Sequence, residues 1–329
     1  MGSFSEALIV PLISLLFALI SPGDLTPEVK ERIFETSFNT VITGLRSVGV
    51  RATYENIEMN ESGDYIEAKN ITLSYPISTL NYSTCISNNY KKDISQFPLS
   101  ENNLNDCNIN LKIESFKVQN LGMARKKKES VIVILDNFEF DLKTLSKIDS
   151  DNMAAFDLIS SVISDDQKVK GSFEIENGYK FSSNESLLRF KINLENLAEL
   201  EVLTDISNLA LGSFDDFDDF ENISFELNKF ELTYKDSGLR KIIDFFALSQ
   251  LGQKISSELF PDLKYENEKD IQKLNVIKNF LDGSNEINCS RNTSIFFSPS
   301  MYEEMADRGL INFSDPIQFV NFFCEELKG

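Results

Sequence analysis

The sequence predicts an α+β protein: a strongly curved, bulged antiparallel β-sheet in meander order, packed with amphipathic helices and followed by a helical C-terminal part. Three observations predict it. A pattern of apolar-x-apolar-polar-polar-apolar-x-apolar recurs as "ATYENIEM" (52–59), "IEAKNITL" (66–73), "LKIESFKV" (111–118), "VILDNFEF" (133–140) and "FELNKFEL" (225–232), with an incomplete copy in "INLENLAE" (192–199). Helical periodicity stands at both ends of the strand-rich region, at 27–47 and at 238–251. The copies are irregularly spaced, which fits long hairpins and not a solenoid of fixed period.

In each copy the two central polar residues interrupt the alternation of faces. An added residue in a strand turns every later apolar side chain to the wrong side unless a β-bulge sets two residues against one. Such bulges would return Tyr54 and Ile57, or Leu227 and Phe230, to a common face and would bend the sheet. The competing reading of each polar pair is a tight turn between two shorter strands.

Along the chain, "ALIVPLISLLFALI" (7–20) is an apolar run shorter than the ~20 residues a spanning helix needs. It ends in "SPGD", where Ser21 and Gly23 suit a leader-cleavage site, although Glu6 precedes it and no Lys or Arg occurs before Lys30. Residues 1–23 are therefore expected to be a signal peptide or a short N-terminal anchor, with a buried helix of the fold as the alternative. Thr26, Pro27 and the apolar positions Val29, Ile33, Phe34, Phe38, Val41, Ile42 and Leu45 predict an amphipathic helix closed near Gly49. "NESGDY" supplies the turn of a hairpin between the first two copies.

Residues 76–108 have no sustained period, and a Cys85–Cys107 bridge would restrain them. The next two copies are joined by "GMARKKKES"; its cluster Arg125–Lys128 reads as a solvated hairpin tip, or as a contact for an anionic headgroup or acidic partner. A short helix is expected around Met153–Ile163, then strands near 169–177, 187–204 and 221–235. "LRKIIDFFALSQLG" and "KDIQKLNVIKNFLDG" read as helices stopped by Gly252 and Gly283, "SIFF" as a short strand, and "DPIQFVNFFCEEL" as a last helix begun by Asp315 and Pro316. The expected domains are thus 24–236, the N-terminal helix with the curved sheet, and 237–329, a mostly helical region packed on it.

Composition narrows the function. A net charge of −20 over 329 residues disfavours nucleic acid and general adhesion to anionic membranes. The absence of His removes the commonest general base and metal ligand, and no phosphate loop or nucleophile elbow occurs, so no enzyme and no cofactor are expected. The four cysteines are read as two disulfides, Cys85–Cys107 and Cys289–Cys324, formed in an oxidising compartment. In "SFDDFDDFEN", Asp215, Asp216, Asp218 and Asp219 are calcium candidates, although they lack the spacing and central Gly of an EF-hand; an acidic turn pinned by Phe214, Phe217 and Phe220 is the plainer account. The Asn-x-Ser/Thr sequons occur at a density that chance explains in so Asn-rich a chain.

The short "ENI" and "KNI" units within alternating strands, behind a leader and an amphipathic helix, resemble the extracytoplasmic portions of AsmA-like and YdgA-like envelope proteins of Gram-negative bacteria. "FELTYKDSGLRKIIDFFALSQ" (230–250), a strand turning through Asp-x-Gly-Leu into a helix, is in the same manner. The resemblance implies a curved, apolar-lined sheet in the periplasm, concerned with lipids or outer-membrane assembly. The expectation is therefore an exported, membrane-associated, non-catalytic protein that binds or lies near lipid through Tyr54, Ile57, Ile71, Leu73, Phe138, Phe140, Phe225, Leu227, Phe230 and Leu232. Its partner would be a lipid or an envelope protein, reached by peripheral membrane contact. The alternative is a structural or protein-interaction scaffold, with a helix-filled core and no ligand.

Overall fold

The computed structural model describes residues 26–47, 49–76, 108–120, 130–141, 168–180, 185–210, 224–251, 265–308 and 315–329. The strands are β1 (Arg51–Thr53), β2 (Asn56–Met59), β3 (Tyr65–Pro76), β4 (Asn108–Gln119), β5 (Val131–Asp141), β6 (Lys168–Lys180), β7 (Glu185–Leu194), β8 (Ala198–Ala210), β9 (Ser224–Asp236), β10 (Glu286–Arg291), β11 (Ile295–Phe297) and β12 (Glu326–Lys328). The helices are α1 (Pro27–Ser47), α2 (Leu239–Leu251), α3 (Glu268–Asp282), α4 (Pro299–Asp307) and α5 (Pro316–Phe323). All twelve strands belong to one open antiparallel sheet, ordered β1-β3-β4-β5-β6-β7-β8-β9-β10-β12, with β2 also beside β3 and β11 beside β9.

This corrects the predicted fold class. Strand dominates the described residues, and the molecule is not a curved sheet packed with helices that ends in a helical part. The C-terminal region adds β10, β11 and β12 to the sheet, and after α5 the chain turns extended at Cys324 and pairs again with β10. Segments of three to six residues are too short to display a period of two, so the helices between them dominated the sequence pattern.

The chain divides into two compact units: Met1–Met123, Val131–Phe173 and Leu194–Asn196 form the first, and Ala124–Ser130, Glu174–Asn193 and Leu197–Gly329 the second. In the first unit, α1 begins as its sequence predicts, with the N–H groups of Val29 and Lys30 donating to the Thr26 carbonyl. It ends at Gly49, whose φ of 90° lets Val50 N–H reach back to the Leu45 carbonyl at 3.0 Å. Its buried stripe is Phe34, Phe38, Val41, Ile42 and Leu45. In the β2–β3 hairpin, the Asn60 side-chain oxygen accepts from the N–H groups of Asp64 and Tyr65. Gly63 in that turn is obligatory, because φ is 67° and an added Cβ would stand 3.0 Å from Pro27.

The phase breaks of the first unit differ from the predicted bulges. Lys69 faces Ser115 and Ile71 faces Ile113, while Ser115 faces Asp136 and Ile113 faces Phe138, so the register is the same on both sides of the break. One residue steps out in each strand at one level: Asn70, Glu114 and Asn137. The left-handed φ of Asn70 (51°) and Asn137 (48°) reverses the side-chain phase without an inserted residue. The edge strand breaks at the same level, since Tyr54 and Glu55, between β1 and β2, span the gap opposite Asn70 and Ile71. Two-against-one bulging is thus absent from these pairings. In the second unit it is present: Asp205 faces Lys229 but Ile206 faces Leu227, which leaves Asn228 as the extra residue. The incomplete copy at 192–199 is a tight turn, with Asn196 at φ 60° between β7 and β8.

Candidate functional site

The registers collect apolar side chains into rows on one face of the first unit. Successive rows are Ile66–Val118–Val133, Ala68–Phe116–Leu135, Ile71–Ile113–Phe138 and Leu73–Leu111–Phe140. Ile57 joins the second row opposite Ala68. Helix α1 packs on the second row. Phe34 and Phe38 stack on Phe116 at centroid distances of 6.1 and 5.9 Å, and Tyr54 meets Phe38 edge-on while its hydroxyl donates to Asn39. Ile66, Ala68 and Val118 are fully buried there.

Six of the ten predicted apolar residues, Tyr54, Ile57, Ile71, Leu73, Phe138 and Phe140, therefore lie on this face. Ile71 is buried, and the other five are half-buried. Sequence reasoning left Phe116 and Val118 out of the candidate set, although "LKIESFKV" holds both in the same repeated pattern.

The remaining four are on β9 in the second unit. Leu232 lies between Val202 and Cys289, Phe230 between Thr204 and Arg291, Leu227 between Ile206 and Ile295, and Phe225 opposite Phe297. The bulge at Asn228 restores Leu227 and Phe230 to a common side, as the pattern predicts. That side is occupied by the chain itself. Rings run continuously from Phe225 to Phe297 (4.9 Å), Phe322 (6.1 Å), Phe323 (4.7 Å) and Phe230 (5.3 Å), and Tyr302 packs against both Phe297 and Phe322. Phe280 of α3 meets Tyr234 edge-on. None of these covering rings was singled out in the sequence; the signal that could have found them is the aromatic density of "FVNFF".

Polar groups fasten this cover. Asp236 Oδ1 accepts from Arg240 N–H and from the Tyr234 hydroxyl, and Arg240 donates to the carbonyls of Phe280 (2.5 Å) and Ser284 (2.7 Å) at the end of α3. The Leu197 carbonyl receives the N–H groups of Ser237, Gly238 and Leu239, which sets the entry of the Asp-x-Gly-Leu turn into α2. Asp315 caps α5 through Ile317 N–H and accepts from the Tyr265 hydroxyl. Lys273, its amine held below the usual lysine range by burial, donates to Asn321 and to the Cys324 carbonyl. Cys289 and Cys324 form a disulfide with Cα atoms 5.2 Å apart.

The opposite faces are charged. Lys117 lies between Glu67 and Asp136, Lys69 binds Glu58, and Lys168 binds Glu139; in the second unit Arg189 reaches Glu201, and Lys191 and Lys235 reach Glu199. Such exposed pairs add little stability but keep that face in water. At the phase break, Asn70 donates to Glu55 and Asn137 to Glu114.

Among the described residues, no group of three or more His, Cys, Asp or Glu could hold a metal ion. No described helix is long and apolar enough to cross a membrane. The signal peptide or anchor expected at 1–23, Cys85 and Cys107, the basic cluster Arg125–Lys128, the helix expected at 153–163 and the calcium candidates Asp215, Asp216, Asp218 and Asp219 all lie outside the described residues. In comparisons with known proteins, no family model and no curated relative matches the chain.

Proposed function

We propose that the protein is an exported, non-catalytic scaffold that engages a partner protein, with its apolar β9 face serving as its own core and not as a lipid site. One observation carries this reading: of the predicted lipid-facing residues of β9, Leu227 is buried, Phe230 packs against Phe323 of α5, and Phe225 stacks on Phe297 of β11, which Tyr302 and Phe322 join. An acyl chain laid along Phe230 would have to displace the Phe323 ring. The Cys289–Cys324 bond supports an oxidising compartment and so the exported location.

A second reading, lipid contact, keeps the support of one feature in the first unit. The row Leu73–Leu111–Phe140 is half-buried, in contrast to the sealed row Ile66–Val118–Val133, of which every member is buried. The experiment that separates the two is lipid mass spectrometry on protein purified from its native cells. The scaffold reading predicts no lipid at stoichiometric amount. Lipid at about one molecule per chain, lost on Phe140→Asp in a folded protein, establishes the second reading and defeats the first.

Export is tested separately by fusing residues 1–40 to a reporter active only outside the cytoplasm. An active reporter is expected. A silent one removes the compartment from the proposal.

A further inference from the structure

We infer that the Cys289–Cys324 bond latches a redox-sensitive strap, formed by α5 and β12, over the aromatic face of β9. The strap carries the cover: Ile317 is 1% exposed, Phe323 lies on Phe230, and Phe322 lies on Tyr302 and Phe297. Its backbone hold on the sheet is small. Helix α5 has eight residues, a length that does not persist in isolation, and β12 contributes three pairs with β10 at the end of the strand order. By contrast β10 is fixed by six pairs with β9, so the anchor half of the disulfide stays in place when the strap moves.

The bond joins residues 35 apart, and Cys324 is the residue at which α5 ends, so the covalent link sits at the junction of the two strap elements. Polar ties accompany these apolar contacts. Lys273 donates to the Cys324 carbonyl, Arg291 to the Asn321 carbonyl, Asn321 to Asp270, and Glu325 N–H to the Ser290 carbonyl. These return the strap to its seat but do not lock it there.

Reduction requires a dithiol. Its thiolate attacks one sulfur to give a mixed disulfide, and its second thiol then displaces the protein sulfur. Two electrons pass to Cys289 and Cys324, which end as thiols carrying two protons, and the dithiol ends as a disulfide. Because Cys289 and Cys324 are 5% and 6% exposed, attack waits on a transient opening of the strap. Removing the cross-link shifts the opening equilibrium by on the order of a hundredfold, because the loop it closed regains its freedom. Opening uncovers Phe230 and Phe297, giving the scaffold an apolar surface in reducing conditions alone.

The test is hydrogen exchange read by mass spectrometry on the full chain, comparing the oxidised protein with the dithiothreitol-reduced protein and with C289S/C324S. The expected result is exchange across 316–328 at least about tenfold faster without the bond, with 65–76 and 111–119 unchanged. A smaller change in the strap, once both thiols are free, overturns the inference. So does faster exchange throughout the sheet or failure of C289S/C324S to fold, since either makes the bond a staple of the whole fold.

Discussion

At Asn70 and Asn137 a side chain other than glycine holds a left-handed backbone inside a strand. Asn tolerates that conformation better than other branched or apolar residues do, and here its amide also clamps a neighbouring glutamate. Ala at either position keeps a Cβ and loses the clamp, whereas Gly relieves the backbone strain. We expect Asn70→Ala and Asn137→Ala each to lose about 1 to 2 kcal/mol in urea unfolding, more than the corresponding Gly variants. Equal or reversed losses would remove φ as the reason for Asn. Two tyrosines define a second residue-level prediction. Burial, reinforced by Glu67, pushes Tyr65 up to about 12, and burial with the charge of Asp236 does the same for Tyr234. Their ionisation is favoured in the unfolded chain first, so the stability they give is whole below pH ~10 and falls as pH rises towards 12. Replacing both with Phe should flatten the alkaline loss of stability between those limits; an unchanged slope contradicts the assignment.

At the scale of elements, α1 was legible almost residue by residue, because Thr26, Pro27, the apolar stripe and Gly49 each give an independent signal. The cap and stop of α3, Asn267 and Gly283, illustrate the limit: Gly283 announces its helix end, while Asn267 is one of many asparagines. The repeated polar pair was legible as an interruption but not in kind. A left-handed step in β3 and β5, a bulge in β9 and a turn at Asn196 all follow from one pattern, and only the register of the neighbouring strand distinguishes them. Packing of α1 gives a direct test. Phe116 holds Phe34 and Phe38 on the sheet, so Phe116→Ala should cost about 3 to 5 kcal/mol and expose Tyr54 fluorescence to quencher. A loss below about 1 kcal/mol would mean that the helix is fastened by other contacts. Arg46, which donates to the Ala52 carbonyl from both Nε and Nη2, also occupies an acceptor on the edge strand that a foreign strand would use.

For the whole molecule, the sequence disclosed an antiparallel sheet and most of its long strands, but not their dominance over helix or the extension of the sheet to the C-terminus. It identified the apolar residues of both faces, but not what covers them. Coverage depends on contacts between residues far apart in the chain, such as Phe230 with Phe323, and no local spacing encodes those. The charge distribution follows the same division. Lys69 and Asn56 hold the Glu58 carboxyl below its ordinary range, and Lys191 does so for Glu199, so the stabilisation from these carboxylates is present above pH ~4 and is lost as pH falls further. The central claim is that the β9 face is the interior of the protein. Equilibrium urea unfolding of Phe230→Asp tests it most directly, with bound lipid quantified in the same samples. A charge placed among Phe323 and its neighbouring rings should lower stability by at least about 3 kcal/mol, and neither variant nor parent should carry lipid. A variant that unfolds at the parent's midpoint while shedding a lipid that the parent carries would contradict the account.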